Sequence, residues 1–303
     1  MAGKVPKVSV IIPAYGSTEF LPQAIDSVFN QTFADFELIV VDDNDPNTEY
    51  RAQTSRIISA NKRAGRRIIY IQHERNKNGS AARNTGVFHS KGKFISFLDS
   101  DDFYHVKRLE AAVSIMDSAD VSIGGVYTGV EFRRRGKTFC THTDVSPGKY
   151  LVETLACKFM IGTGSNLFLK REVIEELGGF DEAFDRHQDY EFLVRFFQRY
   201  ELAAIPEPLV IKNNENFNLP PFERMHDIKR QYLNKYKMVI ESLTDDERGY
   251  VISKNYSWLG EMALRERKRA ESSEMYRIAK RGGFLDKRDT VRRALFWAAS
   301  WIR

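Results

Sequence analysis

Short hydrophobic runs alternate with amphipathic stretches along the first hundred residues of the chain. Four runs rich in β-branched residues have the length and continuous apolar character of buried parallel strands. They occupy residues 7–13, 36–43, 66–74 and 93–99. Residues 18–31 have the apolar spacing of an amphipathic helix, and residues 79–92 predict an alanine-rich helix. This alternation predicts an α/β fold with a Rossmann-like, mostly parallel sheet flanked by helices.

The rest of the chain divides at a polar, proline-ended segment, residues 213–221. Before it the pattern mixes helices and strands, and after it nearly every stretch has a helical pattern. We therefore predict an α/β domain over residues 1–212 and a helical C-terminal region over residues 213–303. The α/β domain has two halves, about residues 1–102 and 103–212.

Composition indicates a soluble globular protein, with 42% hydrophobic and 29% charged residues among 303. Cys140 and Cys157 are too few for a disulfide framework or a cysteine-rich zinc site. The first residues lack the pattern of a secretory signal. The longest apolar stretch, residues 294–302, is far shorter than the ~18 residues of a membrane span. We expect a cytoplasmic protein.

Acidic residues follow two of the predicted strands. Asp42 and Asp43 end the second strand, and the fourth ends in Asp99-Ser100-Asp101-Asp102. In a parallel sheet the carboxyl ends of the strands share one edge, where ligands bind. Clustered carboxylates without His or Cys suit a hard divalent cation that also binds phosphates. The alternative, an aspartate that caps a helix near Val106, accounts for one acid, such as Asp102.

Other residues near the same edge have the chemistry of a nucleotide site. Tyr15 follows the first strand and could stack on a base, while Asp43 could accept hydrogen bonds from a base or ribose. Arg83 can donate two hydrogen bonds at once to a diphosphate. The alternatives are an exposed aromatic for Tyr15, a turn former for Asp43 and a surface helix residue for Arg83.

Three segments resemble, in order, spacing and local chemistry, the glycosyltransferases of family 2. They are VSVIIPAYGSTEFLPQAIDSVFNQTFADFELIVVDDN, GSAARNTGVFHSKGKFISFLDSDD and GSNLFLKREVIEELGGFDEAFDRHQDYEFLVR. The resemblance covers roughly residues 6–212 and implies the GT-A fold for this part of the chain. It also implies an inverting enzyme that uses a nucleotide sugar as donor.

The resemblance assigns donor-binding positions. Pro13, Ala14 and Tyr15 match positions that hold the nucleoside. Asp43 matches the residue that contacts the base, and Arg83 matches a contact to the donor diphosphate.

The resemblance also assigns the metal and the catalytic base. Asp99 and Asp101 match the family's Asp-x-Asp motif, with Asp101 as a ligand of Mn²⁺ or Mg²⁺ and Asp99 facing the metal or the ribose. Asp189 matches the catalytic base. One departure is Gln188, where members of the family commonly have glutamate.

The function implied is transfer of a hexosyl or N-acetylhexosaminyl group, with UDP as the expected carrier. The acceptor would be a hydroxyl of a glycan or lipid-linked molecule in cell-surface polysaccharide biosynthesis. A metal-dependent nucleotidyltransferase or another nucleotide-sugar enzyme is the alternative, and it explains the strand-end acids but not Asp189. A nucleic-acid partner is not expected, because the basic C-terminal region lacks regularly spaced aromatic residues.

The C-terminal region carries the positive charge of the chain. Residues 219–303 contain 19 Lys and Arg against 12 Asp and Glu. Its last segment, residues 285–303, predicts an amphipathic helix with apolar positions Val291, Leu295, Ala298 and Ile302 beside Arg288, Arg292 and Arg293. Such a helix suits an anionic bilayer surface, here the inner face of the plasma membrane. The alternatives are packing on the α/β domain or on a second copy of the chain.

Overall fold

The chain folds into two compact units. The computed structural model describes residues 5–215 and 219–285, together with Val291 and Ala294. The α/β unit contains residues 5–149 and 161–215, and the helical unit contains residues 150–160 and 219–285. Segment 150–160, which lies inside the predicted domain 1–212, therefore packs with the helical unit.

The strands of the described residues all belong to one sheet of the α/β unit. They are β1 (Val8–Ala14), β2 (Phe36–Asp42), β3 (Ile68–Gln72), β4 (Phe94–Phe97), β5 (Phe103–Tyr104), β6 (Ile123–Arg134), β7 (Lys137–His142), β8 (Phe168–Lys170) and β9 (Glu201–Asn213). Their order is β3-β2-β1-β4-β8-β6-β9-β5, and β7 pairs with β6 as a hairpin.

Strands β1 to β4 pair only in parallel with one another. The predicted α/β class and the first four strands are confirmed. In the second half of the sheet, β6 and β9 are parallel, whereas β4–β8, β6–β8, β5–β9 and β6–β7 are antiparallel. Because Ala14 is in register with Asp42, the loops after β1 and β2 leave the same edge of the sheet.

The helices flank the sheet or form the helical unit. They are α1 (Leu21–Phe29), α2 (Glu49–Arg63), α3 (Gly79–His89), α4 (Arg108–Met116), α5 (Leu151–Leu155), α6 (Arg171–Glu176), α7 (Gln188–Phe197), α8 (Phe222–Lys235), α9 (Lys237–Glu241), α10 (Asp245–Arg265) and α11 (Arg269–Arg281). Helices α5 and α8 to α11 belong to the helical unit.

Packing on the two faces of β1 positions the functional edge. Val10 and Ile12 are fully buried in the core cluster that also contains residues of α1 and α4. Ile11 faces the opposite way, against Gly86 of α3. A Cβ atom at Gly86 would lie 2.3 Å from Ile11 Cγ2, so only glycine lets α3 approach β1 this closely. This approach brings the first turns of α3 to the edge of the sheet.

Polar contacts tie together the helical unit. Lys229 of α8 donates a hydrogen bond of 2.9 Å to Asn255 of α10, which in turn donates to the carbonyl of Leu155 at 2.9 Å. Thr244 and Glu247 form a reciprocal cap at the start of α10. Buried polar groups that are paired in this way fix the relative positions of the helices.

Strand β9 is an element that the hydrophobic pattern did not reveal. Pro206 and Pro208 interrupt its apolar run, and proline argues against a central strand. The sheet accommodates them where the pairing of β6 with β9 shifts register around Gly129. The strand ends at Asn213, and its last residues reach the functional edge.

Two expectations concern membranes. Within residues 5–215 and 219–285, no helix has the length and apolar character needed to cross a bilayer. Apart from Leu285 and the single positions Val291 and Ala294, the predicted amphipathic segment 285–303 lies outside the described residues and stays a prediction.

Candidate active site

A cleft of about 500 Å³ opens at the carboxyl edge of strands β1, β2 and β4. Its lining includes the predicted residues Pro13, Tyr15, Asp43, Arg83, Asp99 and Asp101. The residue types that suggested a nucleotide site from sequence therefore lie together in one cleft. Lys212 at the end of β9 also lines it, although no local sequence pattern points to that residue.

The loop after β1 presents an aromatic side chain beside the cleft. Tyr15 is 63% exposed, whereas Ala14 is buried and its carbonyl accepts a hydrogen bond of 2.9 Å from the backbone of Asp43. Gly16 has a φ of +71° and donates to Asn44 Oδ1 at 2.8 Å. The left-handed turn at glycine, anchored by Asn44, leaves the ring of Tyr15 open for stacking.

Asp43 is buried and organises the loop that precedes α3. Its carboxylate accepts hydrogen bonds from the side-chain amide of Asn76 at 2.8 Å and from the backbone N–H groups of Lys77 and Asn78 at 2.8 and 2.9 Å. Nδ1 of His73 lies 2.7 Å from the same carboxylate. Asp43 thus fixes one wall of the cleft, while its contact to a base stays a prediction.

The beginning of α3 approaches the cleft because its residues are small. Asn78, at φ +93°, caps the helix by accepting a hydrogen bond from the backbone N–H of Ala81 at 3.1 Å. A Cβ atom on Gly79 would lie 3.0 Å from Arg83 Nη1 and from Gln188 Oε1. The absence of a side chain at Gly79 leaves room for these two groups.

The guanidinium of Arg83 is held from both sides. Nη2 donates to Asp99 Oδ1 and Nη1 donates to Gln188 Oε1, each at 2.6 Å. The ring of Phe180 lies 5.6 Å from the guanidinium carbon. An arginine fixed in this way is preorganised for an anion, since it loses little side-chain freedom on binding.

The three aspartates after β4 have different environments. Asp99 accepts a hydrogen bond from Arg83, and Thr163 Oγ1 lies 3.3 Å from its carboxylate. Asp102 is fully buried and accepts from Thr163 and Ser165 hydroxyls at 2.7 and 2.6 Å. Asp101 is half-buried and has no side-chain hydrogen bond to another described residue.

These contacts correct the alternative explanation for Asp102. Helix α4 begins at Arg108, and no side chain caps it. The Asp102 carboxylate instead accepts a hydrogen bond of 3.2 Å from the backbone N–H of Asn213 and lies 3.2 Å from Lys212 Nζ. Asp102 therefore links the loop after β4 to the end of β9 and caps no helix.

The carboxylates differ in acidity. Burial, together with repulsion from Asp102 and Asp99, raises the pKa of Asp101 to about 6. Burial acts in the same direction on Asp99, but Arg83 and Lys212 outweigh it and hold the pKa of Asp99 below its usual range. Lys212 attracts Asp101 but forms no ion pair with it, and its effect on the pKa is smaller than that of burial. Asp101 is thus the carboxylate that a bound cation would stabilise most.

The donor set fits a divalent cation that is shared with a ligand. Among the residues that the structure describes, no three His, Cys, Asp or Glu side chains are grouped to hold a metal on their own. Asp99 and Asp101 nevertheless place two carboxylates at the cleft. Mg²⁺ and Mn²⁺ are commonly bound by one or two carboxylates, with phosphate oxygens and waters as the other ligands. The residues present fit such an ion.

A second cleft, of about 310 Å³, adjoins these residues and contains Asp189. Arg83, Asp99 and Gln188 line both clefts. Asp189 lies in the first turn of α7, after His187 at φ +60°, and its carboxylate accepts from the backbone N–H of Tyr190 at 3.0 Å. The side chain is half-buried, and burial raises the pKa of Asp189 above its usual value. A more basic carboxylate of this kind suits general-base catalysis.

Sequence reasoning missed Thr163, Ser165 and Lys212. Thr163 and Ser165 precede β8 and become neighbours of Asp99 and Asp102 only because β8 pairs with β4. The signal for Lys212 is a single lysine near the end of an apolar run, which is common on protein surfaces. Their proximity to the cleft follows from long-range strand pairing and cannot be read from local sequence.

Comparisons of sequence identify related proteins. The sequence model of the family described as "Glycosyl transferase family 2" matches residues 9–178. An uncharacterised glycosyltransferase of Methanocaldococcus jannaschii is 32% identical over 242 residues, which is 76% of this chain and 77% of the relative. The amylovoran biosynthesis glycosyltransferase AmsB of Erwinia amylovora is 30% identical over 209 residues, which is 66% of this chain and 67% of that protein.

Comparisons of structure identify similar folds. Residues 1–349 of S. aureus TarS in complex with UDP-GlcNAc superpose with a TM-score of 0.59 at 15% identity, covering 91% of this chain and 92% of that one. The mannosyltransferase PcManGT of Pyrobaculum calidifontis, in complex with GDP-Man and Mn²⁺, gives a TM-score of 0.60 at 14% identity, covering 98% and 81%. At these identities the similarity concerns the fold.

Proposed function

The chain belongs to glycosyl transferase family 2, and from this membership and the two adjoining clefts we propose that it is an inverting transferase that uses a nucleotide-diphosphate sugar. It is a glycosyltransferase with the expected GT-A fold. The proposed inverting transfer from a nucleotide sugar rests on one observation. Arg83 and Asp99 line both the cleft that contains the acids after β4 and the cleft that contains Asp189. The α/β unit is the proposed catalytic domain.

The larger cleft is the proposed donor site. Tyr15 offers a ring for the base, Pro13 lines the cleft, and Asp43 fixes the neighbouring loop. Ala14 is buried beneath this loop, and its proposed role is to anchor the loop through its carbonyl, which accepts from the backbone N–H of Asp43. Arg83, held by Asp99 and Gln188, points a guanidinium toward the diphosphate. We take UDP as the carrier and a hexosyl or N-acetylhexosaminyl group as the sugar. The complex of TarS with UDP-GlcNAc supports this choice, whereas that of PcManGT with GDP-Man leaves GDP to be tested.

Asp101, with Asp99, would hold Mn²⁺ or Mg²⁺ in this site. When bound, such an ion supplies positive charge to the diphosphate that leaves. Arg83 supplies fixed positive charge to the same group, and charge aimed at a developing anion lowers the barrier most. PcManGT contains Mn²⁺ together with its donor, which supports the same expectation for this chain.

The smaller cleft is the proposed acceptor site, and Asp189 is the proposed base. Its carboxylate accepts the proton of an acceptor hydroxyl while the oxygen attacks the anomeric carbon. The bond between that carbon and the diphosphate oxygen breaks, and the nucleoside diphosphate leaves with the electron pair. Attack from the side opposite the leaving group inverts the configuration. General-base assistance of this type contributes about 10²–10⁴-fold to rate.

The proposed acceptor is a hydroxyl of a glycan or lipid-linked molecule in cell-surface polysaccharide biosynthesis. The similarity to an amylovoran biosynthesis glycosyltransferase supports this class. We propose a cytoplasmic location, with contact to the inner face of the plasma membrane through the C-terminal region. Deletion of residues 285–303 tests the contact, because co-sedimentation with anionic vesicles should fall.

The experiment that tests the function is a donor screen with the purified chain. UDP-glucose, UDP-galactose, UDP-GlcNAc and GDP-mannose are incubated with Mn²⁺, and release of nucleoside diphosphate is measured with and without EDTA. Metal-dependent release from one donor is expected, with a β-linked product from an α-linked donor when a sugar acceptor is supplied. A parallel reaction with added pyrophosphate tests the alternative: conversion of the nucleotide sugar and pyrophosphate to nucleoside triphosphate and sugar 1-phosphate would instead indicate a nucleotidyltransferase.

A further inference from the structure

Lys212 places a cation at the proposed donor cleft. It belongs to β9, at the very end of the segment, roughly residues 6–212, that resembles the family. It lies one residue before the end of β9, and its side chain lines the cleft. The other described residues that line this cleft include no lysine. The side chain is 23% exposed, compared with 12% for Arg83 and 24% for Asp99. Its ammonium group is thus partly shielded from solvent but accessible from the cleft.

Asp102 fixes the position of this lysine. Nζ of Lys212 lies 3.2 Å from Asp102 Oδ1, and the carboxylate is fully buried. The hydroxyls of Thr163 and Ser165 and the backbone N–H of Asn213 also donate to Asp102. Because these donors come from separate segments of the α/β unit, the carboxylate cannot turn away, and the ammonium that it holds stays at the cleft.

Arg83 and Lys212 are connected through one polar network. Arg83 donates to Asp99, Thr163 lies within hydrogen-bond distance of both Asp99 and Asp102, and Asp102 pairs with Lys212. Each cation therefore pairs directly with one carboxylate, and both cations line the cleft. A lysine ammonium has three N–H donors, so pairing with Asp102 leaves donors for a ligand.

We propose that Lys212 binds the diphosphate of the nucleotide donor, with Asp102 as its positioning residue. This assignment rests on the proposed function and adds a second protein cation to the site. An ammonium attracts the diphosphate more strongly as negative charge builds up on the leaving group. It also makes part of the affinity for a nucleoside diphosphate independent of the divalent ion.

Isothermal titration of Lys212→Met tests the assignment. UDP and GDP are titrated into the wild-type chain, and the tighter ligand is then used with Mn²⁺ and, separately, with EDTA. A hydrogen bond to a charged group predicts a ~10- to 100-fold loss of affinity in both conditions. The loss should be smaller for the nucleoside monophosphate and absent for the nucleoside. Lys212→Arg should recover most of the affinity, and Lys137→Met, which removes an exposed charge from β7, should have no effect.

Three results would overturn the assignment. The first is an unchanged diphosphate affinity in Lys212→Met. The second is a loss that appears only with Mn²⁺, which would mean that the lysine acts through the metal carboxylates. The third is an equal loss of affinity for the nucleoside and for the nucleoside diphosphate, which would indicate a structural role. If Lys212→Met does not fold, the measurement is repeated with Lys212→Gln, which retains a donor toward Asp102. A wild-type chain that binds neither UDP nor GDP would contradict the proposed function itself.

Discussion

Gln188 Oε1 accepts a hydrogen bond of 2.6 Å from Nη1 of Arg83, whose Nη2 donates to Asp99. A neutral amide therefore stands where the family resemblance leads one to expect a carboxylate. Of these two partners of Arg83, only Asp99 is acidic. The positive charge of the guanidinium is therefore only partly neutralised by the protein and can attract a diphosphate. The amide keeps the guanidinium in position without adding negative charge beside a negatively charged ligand.

Gln188→Glu should weaken binding of the nucleoside diphosphate. The substitution keeps the size of the side chain and the contact to Arg83 but adds a carboxylate near the diphosphate. At the effective dielectric constant of a partly exposed site, this repulsion predicts roughly a fivefold rise in Kd. Titration calorimetry measures it, and Gln198→Glu, an exposed position just after the same helix, is the matched control. A Kd that is unchanged or lower would show that a second carboxylate on Arg83 is harmless.

Asp189→Asn should abolish most turnover but leave donor binding intact. The amide fits the same space but cannot accept the proton of the acceptor, so kcat should fall by about 10²–10⁴-fold. Release of nucleoside diphosphate in the presence of acceptor gives kcat, and calorimetry gives donor affinity. Asp144→Asn, at an exposed loop position, should behave like the wild type. Near-normal turnover in Asp189→Asn would mean that another group is the base.

The acidity of Asp189 predicts how turnover depends on pH. Burial raises the pKa of this carboxyl above the ordinary value of about 3.9. Only the ionised carboxylate can act as a base, so kcat should rise with pH and be lost as the pH falls through the raised pKa. The midpoint, measured at saturating donor and Mn²⁺, should lie above the ordinary pKa of an aspartate carboxyl. The residual activity of Asp189→Asn should lack this acidic limb, and the same limb in both proteins would assign it to a different group.

The fold and the candidate site differ in how far sequence could predict them. Strands β1 to β4 are continuous apolar runs, and parallel pairing alone implies that Tyr15, Asp43 and Asp99 share one edge. Strand β9 could not be recognised, because Pro206 and Pro208 interrupt it. When β9 is not recognised, the contact of Lys212 with Asp102 in the loop after β4 cannot be predicted. The helix cap considered as the alternative for Asp102 is wrong, because its partners lie more than 60 positions away in the chain, beyond the reach of local sequence patterns.

Asp101 and Asp102 are adjacent, and we expect opposite consequences when each is replaced by alanine. Asp102→Ala removes a buried carboxylate that four donors share, including the ammonium of Lys212. Breaking a buried pair in this way typically costs about 3–5 kcal/mol in the free energy of unfolding. Asp101→Ala removes a half-buried carboxylate with no such bonds, so the melting temperature should change little, while metal-dependent release of nucleoside diphosphate should be lost.

Thermal unfolding and the donor assay, applied to both variants, separate these two roles. Asp102→Asn is the conservative control, because its amide oxygen can still accept from Thr163 or Ser165, and it should unfold between the wild type and Asp102→Ala. The distinction follows from geometry: one carboxylate is enclosed by donors and cannot reach a ligand, whereas its neighbour faces the cleft. A large loss of stability in Asp101→Ala, or metal-dependent activity that survives it, would contradict the division of labour between the two aspartates.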